Sequence, residues 1–161
     1  MRILQLHADM MEYQPIRKEI DQAEPSTQEK VKVTEVVVLF VTIETTDSSA
    51  VARKAMREIL SSLAVLKSTR IMIYPYSHLS DKLAKASSAL LILQELESLA
   101  REEGLEVFRS PFGWTKSFTI QVKGHPMAEQ SKTFGPDNGK EEEGVSSAIK
   151  AEEKLKSEWF I

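Results

Sequence analysis

The chain has 161 residues, 42% of them hydrophobic and 28% charged, with 21 Lys and Arg against 24 Asp and Glu, a formal net charge of −3 and no cysteine. This composition belongs to a globular chain of one-domain size that buries roughly two thirds of its unfolded surface without a staple, and the missing cysteine excludes disulfides, thiolate nucleophiles and cysteine zinc sites. The 4 basic and 7 acidic side chains of residues 136–161 leave 17 of each sign in residues 1–135, so a neutral body disfavours tracking along duplex nucleic acid, although a pocket for a single nucleotide at a strand end needs stacking and hydrogen bonds more than net charge. The opening Met1-Arg2-Ile3-Leu4-Gln5-Leu6-His7 is too soon broken for a signal peptide or membrane span, so a cytoplasmic location and no membrane partner are expected.

Arg2 to Asp9 reads as a short strand, and the polar stretch Tyr13 to Thr34, with Pro15 and Pro25, as a long loop. The continuous β-branched run Val36 to Ile43 suits a central strand buried on both faces. Asp47 or Ser48 then caps a helix whose Val51, Ala55, Ile59, Leu63 and Leu66 recur near the helical period. Arg70 to Tyr74 forms a second apolar strand, ended by Pro75 because proline cannot donate to the ladder. Ser77, His78 and Ser80 make a turn, and Lys82 to Glu103 a helix with Gly104 at its C-terminal cap. Leu105 to Phe108 is a short strand, Ser110 to Gly113 a turn, and Ser117 to Val122 an alternating strand closed by Gly124-His125-Pro126. This order predicts an α/β fold, a mixed β-sheet packed with two main helices.

The domain is expected to end near residue 134. From Gly135 an acidic, glycine-rich linker begins, followed by helical spacing over Ser146 to Lys156 and then Trp159-Phe160-Ile161 with nothing after them to bury against, so residues 135–161 read as the approach to a further domain that is missing.

No glycine-rich phosphate loop, nucleophile elbow or metal-spaced histidine pair occurs. What remains is diffuse. His78 sits just past a strand end, where open α/β sheets build their sites, or else it bonds its own turn. Lys116 follows the aromatic turn Pro111-Phe112-Gly113-Trp114, which desolvates an ammonium into an electrostatic catalyst or leaves an ordinary solvated strand lysine. Glu129 is placed to accept an amino group or to hold Lys116, with a plain surface carboxylate as its alternative. His7 and Asp9 share a strand face as a local polar pair, and His125 reads as turn chemistry. Tyr76, Phe112 and Trp114 either stack a base or pack a core.

Taken together, Arg2-Ile3-Leu4-Gln5-Leu6-His7-Ala8-Asp9, Tyr74-Pro75-Tyr76-Ser77-His78-Leu79-Ser80, Ser110-Pro111-Phe112-Gly113-Trp114-Thr115-Lys116 and Lys123-Gly124-His125-Pro126-Met127-Ala128-Glu129 resemble the N-terminal editing domain of archaeal threonyl-tRNA synthetases over residues 1–134. The tail Ala151 to Trp159 looks like the approach to that enzyme's catalytic domain. The resemblance implies a D-aminoacyl-tRNA deacylase-like fold, a homodimer, and hydrolysis of L-serine from mischarged threonine tRNA, with a ribose hydroxyl of the terminal adenosine assisting the water. It implies no cofactor or metal for editing, ATP and zinc belonging to the missing synthetase domain, which acts in cis or in trans. His78, Lys116 and Glu129 fall on the family's polar site positions, and Ile43, Tyr76, Ser77, Pro111 and Phe112 on its pocket lining. Thr115 stands where related sequences carry tyrosine. The sieve has a physical reason, because a site that accepts threonine also admits serine, and one methyl discriminates by only ~1–3 kcal/mol. Oxyanion donors are expected from Lys116 or from backbone N–H groups near Phe112. A D-aminoacyl-tRNA deacylase and a non-catalytic module for the tRNA acceptor end or for dimerisation are the alternatives.

Overall fold

A computed structural model describes residues 1–136. The helical spacing of Ser146 to Lys156 and the expected linker from 137 onward lie outside the described residues. The elements in chain order are β1 (Arg2–Lys18), β2 (Val31–Thr42), α1 (Ser49–Leu66), β3 (Arg70–Pro75), α2 (Ala86–Glu102), β4 (Glu106–Arg109), β5 (Trp114–Val122) and β6 (Glu129–Thr133). They form one mixed sheet in the order β4-β3-β2-β1-β5, with β6 also paired to β1. β2, β3 and β4 run parallel, while β1 is antiparallel to β2, β5 and β6. The expected class, a mixed sheet with two helices, is the one observed.

The β-branched run lies mid-sheet as expected, with Val36 to Val41 all buried. Its odd residues Val37, Leu39 and Val41 pack with Ile71 and Ile73 against Val51, Ala55, Ile59 and Leu63 of α1 and Leu93 and Leu96 of α2. Its even residues Val36, Val38 and Phe40 join Met72 and Tyr74 in a second core with Met11 and Tyr13. Among the described residues no helix covers that second core; the far half of β1 and β5 curl over it. The Tyr13 and Tyr74 rings meet edge to face at 6.0 Å, and Phe118 of β5 stacks at 5.5 Å from both Phe40 and Tyr74. The curl is set at Glu35, whose φ of 49° breaks the alternation of β2: Val33 and Val36 point inward and both residues between them are exposed.

This curl corrects the expected loop over Tyr13 to Thr34. β1 continues to Lys18 and pairs Met11, Glu12 and Tyr13 with Val33, Lys32 and Val31, so only residues 19–30 lie between the strands. Pro15 is tolerated because beyond Tyr13 β1 has β5 alone as partner, and a ring without an N–H interrupts nothing on the open side. The second helix is also shorter than its periodicity. Residues 82–85 are not helical, with an isolated bridge between Glu44 and Leu83 and Ala84 N–H donating to Ile43 O at 3.0 Å, and the helix begins at Ala86. Gly104, at φ 80°, stands just past its end as expected, and Leu105 N–H returns to Ala100 O. Ser48, one of the two expected caps, accepts from Val51 N–H. β6 was not expected at all, since Glu-Gln-Ser-Lys-Thr carries no apolar alternation. Its Lys132 is buried and donates to Ser62 of α1 at 2.7 Å.

The chain start is tied to the loop after β2 and to the segment after β6 at one point. The Met1 ammonium is fully buried and donates to Glu44 Oε1 at 3.0 Å, Asp47 Oδ1 at 2.6 Å and Phe134 O at 2.7 Å. Glu44 Oε2 in turn accepts from Ser80 Oγ at 2.6 Å, which anchors the turn after β3.

Candidate functional site

β2 and β3 are parallel, so their carboxyl ends lie side by side and leave a crevice, the usual place for a site in such sheets. A cavity of about 710 Å³ opens there. Val41, Ile43, Ala89 and Leu93 make an apolar floor; Tyr74, Tyr76, Ser77 and His78 form one wall, and Phe112 to Lys116 with Phe118 form the other. Of the residues expected at a site, Lys116, His78, Ile43, Tyr76, Ser77 and Phe112 are brought together here. Pro111 is behind the wall rather than in it, yet its carbonyl accepts from Lys116 Nζ at 2.8 Å.

The wall after β3 is shaped by a residue the sequence did not single out. Thr42 is fully buried at the end of β2, and its Oγ1 donates to Tyr76 O at 2.6 Å while Leu79 N–H donates to it at 3.4 Å. Tyr76 N–H reaches Val41 O at 2.9 Å. Together these turn the chain so that His78, solvent-exposed, stands edge to face with the Tyr76 ring at 5.0 Å.

The opposite wall is a tight turn held by the loop after β1. Gly113 has a φ of 86°, and a Cβ there would lie 2.7 Å from Ala23 Cα, so the turn requires glycine on both counts. Glu24 grips this turn with every polar group it has. Its carboxylate accepts from Arg109 Nη1, from Arg109 Nη2 at 2.8 Å and from Phe112 N–H at 2.9 Å. Its carbonyl accepts from Trp114 Nε1 at 2.7 Å, and its own N–H donates to Phe112 O at 3.0 Å. Arg109 also donates to Glu97 of α2 at 2.8 Å. Those hydrogen bonds from Arg109 hold the Glu24 carboxyl below the usual carboxylate range. The Phe112 N–H is thereby committed to Glu24, which leaves Lys116 and the other backbone N–H groups near Phe112 as the expected oxyanion donors.

Lys116 projects between the walls with its Nζ 4.7 Å from the centre of the Tyr74 ring. Burial pulls its pKa down from 10.5 to about 8, with Glu24 opposing and Arg109 reinforcing the change. Burial likewise pushes the Tyr74 phenol up, so that ring stays neutral beside the ammonium. Thr115, at the exposed rim of the cavity, donates to Glu19 at 2.6 Å.

Glu129 does not join Lys116. It lies on β6 opposite Leu6, outside the cavity lining. Tyr74 stands opposite Phe40, Phe40 opposite Leu4, and Leu4 opposite Ser131, so three strand spacings, about 14 Å, separate β6 from the strand beneath Lys116. The expectation that Glu129 holds Lys116 within one chain fails for that reason. His125 has the expected turn role, with Met127 N–H donating to its Nδ1 at 3.2 Å, and its Nε2 also lies 2.9 Å from His7 Nδ1, a contact the sequence did not suggest. Asp9 pairs not with His7 but with Lys123, which also reaches Glu35 at 2.9 Å.

A family profile described as the Archaea-specific editing domain of threonyl-tRNA synthetase matches residues 1–134. The chain belongs to that family. Among the relatives of this editing domain, a threonine–tRNA ligase of Nitrosopumilus maritimus is 48% identical over all of the chain, one of Cenarchaeum symbiosum 44% and one of Thermococcus kodakarensis 40%. The chain spans about a quarter of the length of these ligases, 26%, 25% and 27% respectively. A solved structure named c-Myc DNA Unwinding Element Binding Protein superposes with a TM-score of 0.64 over 85% of the chain and 100% of its own, at 10% identity, and so shares the fold. Among the described residues no helix of the editing domain is long and apolar enough to cross a membrane.

Proposed function

We propose that the cavity hydrolyses the ester of L-serine mischarged onto threonine tRNA, and that Lys116 is its principal catalytic residue. One observation carries this reading: in an editing-domain chain, a half-buried ammonium, its pKa lowered to about 8 by desolvation, is held over Tyr74 and against Pro111 O inside a cavity of about 710 Å³. That volume suits a nucleoside with a small aminoacyl group. At pH 7 about nine in ten such lysines carry the proton, so a cation stands ready for the charge that develops on the carbonyl oxygen during attack. In a partly desolvated site such a fixed charge is worth far more than in water. Phe112 N–H is committed to Glu24, and the oxyanion donor in this reading is the Lys116 ammonium, which has two further protons besides the one on Pro111 O.

The terminal adenosine occupies the wall of Tyr76 and Phe112, where the rings stack a base. His78 orients the ribose or the water, and a ribose hydroxyl assists the attack. Ile43 and the apolar floor receive the side-chain end. No metal or cofactor takes part in this scheme, so chelation leaves the rate unchanged. The working unit is a homodimer, serving a synthetase catalytic domain in the same chain or another.

Selectivity against threonine follows from water, not from fit. An extra methyl is weak ground for rejection by binding, but a methyl that displaces the attacking water raises the barrier without weakening affinity. Calorimetry with non-hydrolysable seryl- and threonyl-adenosine analogues tests this. Similar affinities, beside a much larger ratio of cleavage rates for the true esters, are expected. A threonyl analogue weaker by the whole ratio of rates restores exclusion by size, and failure of both analogues to bind removes the cavity from the reaction.

A further inference from the structure

Glu24 belongs to none of the segments that marked the site, yet it makes more polar contacts with the catalytic turn than any residue of that turn makes with Lys116. Its N–H, its carbonyl and both carboxylate oxygens all end on Arg109, Phe112 or Trp114. Pro111, the acceptor of the Lys116 ammonium, lies inside that gripped segment. We propose that Glu24 is the positioning residue for Lys116, fixing, together with Arg109, the turn whose Pro111 carbonyl holds the ammonium.

The inference rests on the assignment of Lys116 above, and it adds how a cation is kept in a site that burial disfavours. A lysine pulled out of water escapes its penalty by swinging outward or by losing its proton. The first escape is opposed by geometry, because the carbonyl it bonds is fixed on both sides by Glu24. The second is opposed by charge. The charged and titratable groups around the ammonium are Glu24 and Arg109, whose fields act on it in opposite senses, with Glu19, His78, Tyr74 and Tyr76 lining the same cavity. Glu97 stands behind Arg109 and Arg101 behind Glu97, so the pair is braced on α2. A short charge-assisted network of this kind holds its members to one geometry.

The test is the titration of the Lys116 side chain by NMR in the full 161-residue chain, with the signal assigned by its loss in Lys116→Met. Glu24→Gln keeps the size and the acceptor for Phe112 N–H but removes the charge, and it lowers the Lys116 midpoint. Arg109→Gln removes the opposing cation and raises it. A purely structural role would not give shifts of opposite sign. In parallel, kcat for seryl-tRNA falls by about tenfold or more in Glu24→Gln with KM little changed, since misplacing a catalytic group costs turnover before binding. Glu24→Asp keeps the charge but shortens the reach, so it leaves the midpoint near wild type while lowering kcat; if Glu24→Gln does not fold, Arg109→Gln supplies the charge-removing test of the midpoint. A Lys116 midpoint unmoved by a folded charge-removing variant overturns the inference. Failure of the wild-type chain to release serine would instead overturn the assigned reaction, and the titration would still decide the role of Glu24.

Discussion

Replacing Lys116 by methionine should make the protein more stable while abolishing its proposed activity. Moving a lysine from 10.5 to about 8 corresponds to roughly 3 kcal/mol against the charged form in the folded state. Methionine is of similar length and carries no charge, so it removes that penalty. It also forfeits the hydrogen bond to Pro111 O, worth about 1 kcal/mol, and the cation–π contact with Tyr74, worth about 1 kcal/mol. The net gain at pH 7 is about 1 kcal/mol, a rise in Tm of roughly 2–4 °C for a chain of this size. The sign has a signature in pH. Below 8 the lysine is protonated in both folded and unfolded chains and the penalty is fully present; between 8 and 10.5 the unfolded chain binds more protons, so wild-type stability climbs with pH. The advantage of Lys116→Met must therefore shrink as pH rises from 8 towards 10.5, all other groups being common to both proteins. Urea unfolding of the two proteins at pH 7 and pH 9.5 measures it. A variant less stable than wild type at pH 7, or a difference that does not narrow at pH 9.5, refutes the burial argument.

Thr42→Val keeps the shape but leaves Tyr76 O and Leu79 N–H without their partner, so a loss of about 1–3 kcal/mol in chemical denaturation is expected, with weaker adenosine-analogue binding as the Tyr76 wall relaxes. Gly113→Ala drives a Cβ into Ala23 at a positive φ, and the strain and overpacking together cost about 2–4 kcal/mol; an unchanged urea midpoint contradicts the close approach. Glu129 lies three strands from the site, so Glu129→Ala is expected to leave the Lys116 titration midpoint unchanged, and a shifted midpoint contradicts that placement.

Much of the fold was legible because its strongest signals were local. The run Val36 to Val41 has one reading, a strand buried on both faces, and the turn residues around Ser77 and Gly113 fall where those strands must end. Lys116 and His78 drew notice because each lies next to a turn that adjoins a strand, and both line the cavity at the carboxyl ends of β2 and β3. What stayed hidden depends on pairing between distant segments. Nothing in Glu12-Tyr13-Gln14-Pro15 announces a strand until Val31 to Val33 and Ser117 to Thr119 lie beside it, and β6 owes its place to β1 rather than to its own polar sequence. Glu24 was invisible for a related reason. It sits in a polar stretch between two prolines, and its partner Arg109 is 85 residues away. Thr42 looked like the polar end of an apolar run, and only the returning turn at Tyr76 gives its hydroxyl a use. Glu129 shows the converse error, a residue in a recognisable motif whose strand carries it away from the lysine.

The central claim is that this editing domain hydrolyses the wrong ester and spares the right one. Incubating the 161-residue chain with threonine tRNA charged with L-serine, with L-threonine and with a D-amino acid, and following release of each, tests it most directly. L-serine should be released much faster than both others. Release confined to the D-amino acid would make the chain a deacylase selecting chirality, and release of none by a folded chain that still binds the tRNA would leave it a binding module, either result contradicting the proposal.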